Sequence, residues 1–135
     1  PDAWQAAVAQ GRLYVSFEAL GVATGFDFHL VDEGGDIHEM GSSPALGGTV
    51  NVTCPLVSEQ SPHGIEAAEI TAEIIKNGEV WQTGCGEFET DGPGVYRVQV
   101  DLVPFHMRGF LGDDPDPWLH SYPWIRTNAI RIGMD

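Results

Sequence analysis

Basic residues are scarce in this chain. Against 20 Asp and Glu stand 6 Lys and Arg, a formal net charge of −14 at pH 7 over 135 residues. A folded chain of this mass exposes roughly 6,900 Å², so about one uncompensated negative charge sits on every ~500 Å². That field repels phosphate backbones and anionic lipid heads, which are bound through clustered Lys and Arg. Neither nucleic acid nor a membrane surface is an expected partner. Long apolar runs are missing too: no stretch approaches the ~18 residues of a membrane span, and Pro1-Asp2-Ala3-Trp4 opens no signal peptide. Cytoplasmic and exported settings both stay open. Cysteine is limited to Cys54 and Cys85, either a disulfide or two small apolar side chains, and no CxxC or Cys/His spacing points to zinc. With 42% hydrophobic residues, the chain can bury a core of one domain.

Helical periodicity is nearly absent. Ala3, Trp4, Ala7 and Val8 share a face, with Asp2 placed to cap and Gly11 to end a short helix over residues 2–10. Under three turns long, it needs something to pack on. After Gly11 the period becomes two. Leu13, Val15 and Phe17 alternate with polar neighbours, as do Phe26, Phe28 and Leu30, and then Val50, Val52 and Cys54. Ile70, Ala72 and Ile74 share a face, Asn77-Gly78 is a type I′ hairpin signal, and Tyr96, Val98, Val100 and Leu102 alternate again. A last strand is expected through Trp124 to Ile132. Eight or so short strands with turn signals between them predict an all-β, immunoglobulin-like antiparallel β-sandwich with one short N-terminal helix. Tyr96, just after the Asp91-Gly92-Pro93-Gly94 turn, is either a tyrosine that pins this corner or a plain core aromatic.

Catalytic signatures are likewise missing. His29, His38, His63, His106 and His120 never fall within four positions of one another, so no HxH, HxxH or HExxH pair exists. No GxSxG elbow and no nucleotide-binding glycine loop occurs. His29 and His38 read as surface residues, and Glu66, Glu69 and Glu73 as a solvated face. The loop at 103–123 is different. It has no clear period and mixes Phe105, Phe110, Trp118 and Tyr122 with His106, His120, Arg108 and several Asp. Long loops in compact domains are often binding loops, and aromatic anchors with polar partners suit an interface. The plainer reading folds those aromatics back over an open sandwich end. Asp113-Asp114-Pro115-Asp116 offers carboxylates to Ca²⁺ but lacks the EF-hand spacing and its terminal Glu.

Several segments in order carry a resemblance: Gly11-Arg12-Leu13-Tyr14-Val15, Thr24-Gly25-Phe26-Asp27-Phe28, Ile74-Ile75-Lys76-Asn77-Gly78, Pro93-Gly94-Val95-Tyr96 and Pro123-Trp124-Ile125-Arg126-Thr127-Asn128-Ala129-Ile130. The chain resembles the C-terminal region of bacterial PHP-family (polymerase and histidinol phosphatase) metal-dependent phosphoesterases. There a metal-binding barrel is followed by a helix ending in Gly-Arg-x-Tyr-Val and a small immunoglobulin-like sandwich. Ala129 and Arg131 depart from the family's closing pattern, and the barrel's His-rich ligand motifs have no counterpart here. The resemblance therefore implies no catalytic, metal or cofactor residue in this segment, and a divalent metal only in the parent catalytic domain. It implies that residues 1–11 link to an upstream domain and that 12–135 form the sandwich. Three readings follow: an accessory domain packing on that catalytic domain or assisting substrate presentation, an independent carbohydrate- or protein-binding module using the 103–123 loop, or a small enzyme or metal site built from loop Asp and His. The candidate interface residues are Trp4 and Val8 on the helix, with Ala7 beside them, and Phe105, His106, Arg108, Phe110, Trp118, His120 and Tyr122 in the loop, which would extend the same surface.

Overall fold

The computed structural model describes residues 2–57 and 66–134; the expected polar loop at Ser58 to Gly64, with His63, lies outside the described residues. In chain order the elements are helix α1 (Ala3–Ala9) and strands β1 (Tyr14–Ser16), β2 (Ala23–Thr24), β3 (Asp27–Asp32), β4 (Ile37–Glu39), β5 (Gly48–Thr53) and β6 (Leu56–Val57). Strands β7 (Glu69–Lys76), β8 (Glu79–Thr83), β9 (Gly86–Glu89), β10 (Gly94–Val103), β11 (Tyr122–Thr127) and β12 (Ile130–Ile132) follow. Strand accounts for 46% of the described residues and helix of any kind for 15%, so this is the all-β sandwich that the alternation predicts. One sheet runs β1-β11-β10-β7-β8 with β12 also on β10; the other runs β4-β3-β5-β9, and β2 pairs β6. Among the described residues every pairing is antiparallel.

Strand β10 is the spine. Its residues alternate between buried and half-buried along all ten positions, with Tyr96, Val98, Val100 and Leu102 turned inward. Phe28 and Leu30 of β3 and Val50 and Val52 of β5 join the same core, together with Trp124, whose indole donates to the Gly21 carbonyl at 2.9 Å. Each such side chain, fully removed from water, contributes about 1.5–3 kcal/mol. Asn77 and Gly78 have φ of 53° and 91°, the two positive values a type I′ turn requires.

Tyr96 takes both of the roles that the sequence left open. It is fully buried, and its hydroxyl donates to the Gly92 carbonyl at 2.8 Å and lies 3.1 Å from Asp91 Oδ1. Asp91 also pairs with Lys76 and accepts from the Trp81 indole at 3.0 Å, so one carboxylate gathers three side chains at the corner.

Four expectations are corrected. The last strand is broken into β11 and β12, because at the break the Thr127 hydroxyl replaces a backbone carbonyl as acceptor for Val98 N–H (2.9 Å) and the Asn128 side chain turns away to other backbone. Twelve short strands stand among the described residues where eight or so were expected, the extra ones being two- and three-residue pairings too brief to show alternation. The loop after Val103 is not featureless: it carries 3-10 turns at Phe105–Phe110 and Asp116–Trp118, and another lies at Glu18–Leu20. Their tighter winding leaves no 3.6-residue apolar period to read. Glu66 and Glu73 are not merely solvated, since Arg108 Nε donates to Glu66 at 2.9 Å and Gln99 donates to Glu73 at 2.6 Å.

Cys54 and Cys85 form a disulfide with Cα atoms 5.5 Å apart. It sits just beyond the Val52–Gly86 register pair, clamping edge strand β9 to β5 where the chain crosses between sheets. Closing a 31-residue separation restricts the unfolded chain by about 3–4 kcal/mol. Reduction, or a Cys54→Ser/Cys85→Ser double substitution, is expected to lower unfolding stability by about that amount, read as a shifted urea midpoint with and without reductant.

The corner also sets a pH dependence. Hydrogen bonding from Lys76 holds the Asp91 carboxyl below its ordinary range, the same contact raises the Lys76 ammonium, and burial raises the Tyr96 phenol. A carboxyl with lowered folded pKa contributes above its unfolded value and loses that contribution as pH falls through the folded one; for a raised lysine the loss comes as pH rises. Stability should therefore fall below about pH 4, and Asp91→Asn should flatten that acid limb in urea titrations. Asp32, whose carboxyl is lowered chiefly by its bond with His38, contributes in the same direction.

Candidate functional site

Local chemistry places the N-terminal segment. Gly11 has φ of 69°, and Gly11 N–H bonds the Val8 carbonyl while Arg12 N–H bonds the Ala7 carbonyl, at 3.0 and 2.9 Å. This is a complete Schellman termination, which glycine adopts at no steric cost. The turned chain crosses Gly41 so closely that a Cβ there would strike the Gln10 and Gly11 carbonyls. Asn128 ties the crossing down: its Nδ2 donates to the Gly11 carbonyl at 2.9 Å, and its own N–H bonds the Leu13 carbonyl at 3.2 Å. The Gly-Arg-x-Tyr-Val and Pro-Trp-Ile segments are thus neighbours, with Tyr14, Val15 and Ser16 registered against Thr127, Arg126 and Ile125.

The apolar face of the helix is only partly covered by the sandwich. Ala6 and Ala7 are half-buried, while Trp4 is 66% exposed and Val8 is exposed. Strand β1 continues the theme. Val15 is 53% exposed, and Leu13 and Phe17 are open as well. Alternation marked these three as one face, and they are; it is the outer one, because Val15 lies opposite Arg126 on the side of the sheet away from the core. Period two fixes which residues share a face and leaves open which face is buried. Tyr14, on the other side, packs edge-on against Phe26 with ring centroids 5.1 Å apart.

The loop's residues fall into two groups. His106 donates from Nε2 to the Leu20 carbonyl at 2.8 Å, and Arg108 pairs with Glu66 and Asp116 near the Phe105 ring. These anchor the loop to the body. Trp118, His120 and Tyr122 gather separately: the Tyr122 hydroxyl donates to the Trp118 carbonyl at 2.9 Å and the His120 and Tyr122 rings lie 4.0 Å apart. Trp118 and Phe110 are exposed. Trp4 and Val8 are not part of this surface. The loop enters β11 at Tyr122, whereas α1 leads into β1 beside Thr127, so the two regions lie at opposite ends of β11, roughly 17 Å of strand apart. Asp113, Asp114 and Asp116 join no group of three metal-ligating residues among the described residues.

His29 and His38 differ from their expected surface role. Both are half-buried, His29 bonded to Asp27 at 2.6 Å and His38 Nε2 to Asp32 at 2.7 Å. His38 lies opposite the fully buried Leu30 on the inner side of β4. With Gln10, Arg12 and Ser42 it lines an open cleft of about 420 Å³, a grouping that joins positions too far apart in sequence for any motif to mark. Comparison of the chain with protein-family models, with curated proteins and with solved structures finds no match. The class of protein therefore rests on the fold: an antiparallel β-sandwich domain with an open apolar edge.

Because Trp4 makes little contact with the sandwich, Trp4→Ala should cost less than about 1 kcal/mol in chemical denaturation, against about 3–5 kcal/mol for a truncated core tryptophan such as Trp124.

Proposed function

We propose that this chain is a non-catalytic accessory β-sandwich of a PHP-type metal-dependent phosphoesterase, with α1 and β1 forming its face toward the catalytic domain. The observation that carries this reading is the exposure of Trp4, Val8, Leu13, Val15 and Phe17 within one short stretch of chain. Clustered large apolar side chains, as opposed to scattered ones, mark interaction surfaces. That stretch coincides with the helix and Gly-Arg-x-Tyr-Val segment which, in the family the sequence resembles, joins barrel to sandwich. The divalent metal and its chemistry belong to that barrel. The role of this chain is to pack against it and hold substrate-facing surface in place. A carbohydrate- or protein-binding role for the loop draws on a separate observation, the Trp118–His120–Tyr122 cluster, and would use the other end of the domain.

The coding sequence upstream of Pro1 tests the assignment directly. A barrel with paired-histidine ligands is expected there, and any other domain, or none, overturns it. The isolated chain should turn over no generic phosphate ester with Mn²⁺ or Zn²⁺; activity lost on changing His106 or Asp113 would refute the non-catalytic reading. In the longer protein Trp4→Ala should loosen the contact between domains, seen as faster proteolysis between them, while leaving the sandwich folded.

A further inference from the structure

The cleft at the sandwich edge has a chemistry of its own. It opens where β4, the edge of one sheet, meets the segment leading into β1, the edge of the other. Gln10 is the capping residue of α1 and Arg12 follows the Schellman glycine, so both are fixed by backbone and their side chains are free to meet a ligand. Arg12 is exposed, and its guanidinium has no hydrogen bond or ion pair among the described residues. Lys76, Arg108 and Arg126, by contrast, are each held by a carboxylate. Arg97 and Arg131 likewise have no carboxylate partner among the described residues, and of these three arginines it is Arg12 that lines the cleft.

His38 supplies the second half. Asp32 Oδ1 accepts from Gly34 N–H and Asp36 N–H at 2.9 and 3.0 Å, and its Oδ2 faces His38 Nε2 at 2.7 Å. A carboxylate so held is ionised and can only accept, so Nε2 carries the proton. In the neutral imidazole Nδ1 is then an acceptor. The cleft thus pairs a charged donor fork with a ring acceptor. Other charges nearby are accounted for: Asp32 is satisfied by three donors, and the Ala6, Ala7 and Val8 carbonyls at the end of α1 are all bonded. Glu39 is exposed at the rim and opposes an anion.

We propose that this cleft binds an oxyanion bearing a hydroxyl, with Arg12 taking the charged oxygens and His38 Nδ1 accepting the hydroxyl proton. Hydrogen phosphate and an α-hydroxy carboxylate both have this chemistry. Sulfate and acetate have the charge without the hydroxyl. The inference does not depend on the identity of the upstream domain.

The test is a titration of the ¹⁵N-labelled chain at neutral pH and constant ionic strength, following the His38 ring and the Gln10 side-chain amide. Four probes are compared: inorganic phosphate, lactate, sulfate and acetate. Saturable shifts are expected with phosphate or lactate and much weaker ones with sulfate and acetate. Whichever of the first two binds more tightly identifies the source of the anion. Arg12→Gln, at an exposed position, should weaken binding about tenfold through the loss of a charged hydrogen bond, and Glu39→Gln should tighten it. Absence of saturation with all four probes overturns the proposal. So do equal responses to all four, which would mean charge adsorption alone, or affinity unchanged in Arg12→Gln.

Discussion

Strand β10 lies between β7 on one side and β11 and β12 on the other, and its alternation constrains everything around it. Tyr96, Val98, Val100 and Leu102 must face Phe28, Leu30, Val50 and Val52 across the core. A slip of one residue would turn all four outward and bring Arg97, Gln99 and Asp101 in. The cost of burying those polar groups without partners makes the register effectively unique. The Asp91–Tyr96 corner at the start of β10 and the Thr127 bond to Val98 then hold the strand from its two flanks.

From that register the position of the N-terminal segment follows. β11 is aligned by β10, β1 by β11, and Asn128, at the break before β12, reaches back to Gly11. The helix is thus attached through backbone and one amide side chain, with only its alanines against the protein. The large side chains are left outside. An attachment of this kind fixes direction without using up apolar surface, and it leaves the Gln10–Arg12 turn standing over the edge of the other sheet.

Charge is organised by the same economy. Few cations are available, and three of the six are held by carboxylates within the fold: Lys76 at the tyrosine corner, Arg126 on Asp101, and Arg108 between Glu66 and Asp116. The surviving acids give the surface its negative field. Against that field, apolar contact through α1 and β1 is a recognition mode that the net charge hinders least, and Arg12 adds a positive charge to the cleft that His38 also lines.

Much of this was legible in the sequence because it is encoded over short range. Gly11 ends a helix because only a residue tolerant of positive φ fits there, Asn77-Gly78 makes its turn for the same reason, and the alternation from Tyr96 to Leu102 names one side of a strand. Tertiary structure decided what no local pattern carries. Whether Leu13, Val15 and Phe17 or their neighbours face the core depends on which strand lies alongside and what covers the sheet. The bond between Cys54 and Cys85 depends on β5 and β9 being paired. The placing of Arg12 and His38 in one cleft depends on a crossing of glycines, Gly11 over Gly41, which brings together two sheet edges that sequence separation keeps apart. Local conformation follows from the chain's own sterics, whereas faces, bridges and clefts arise only when distant segments share a register.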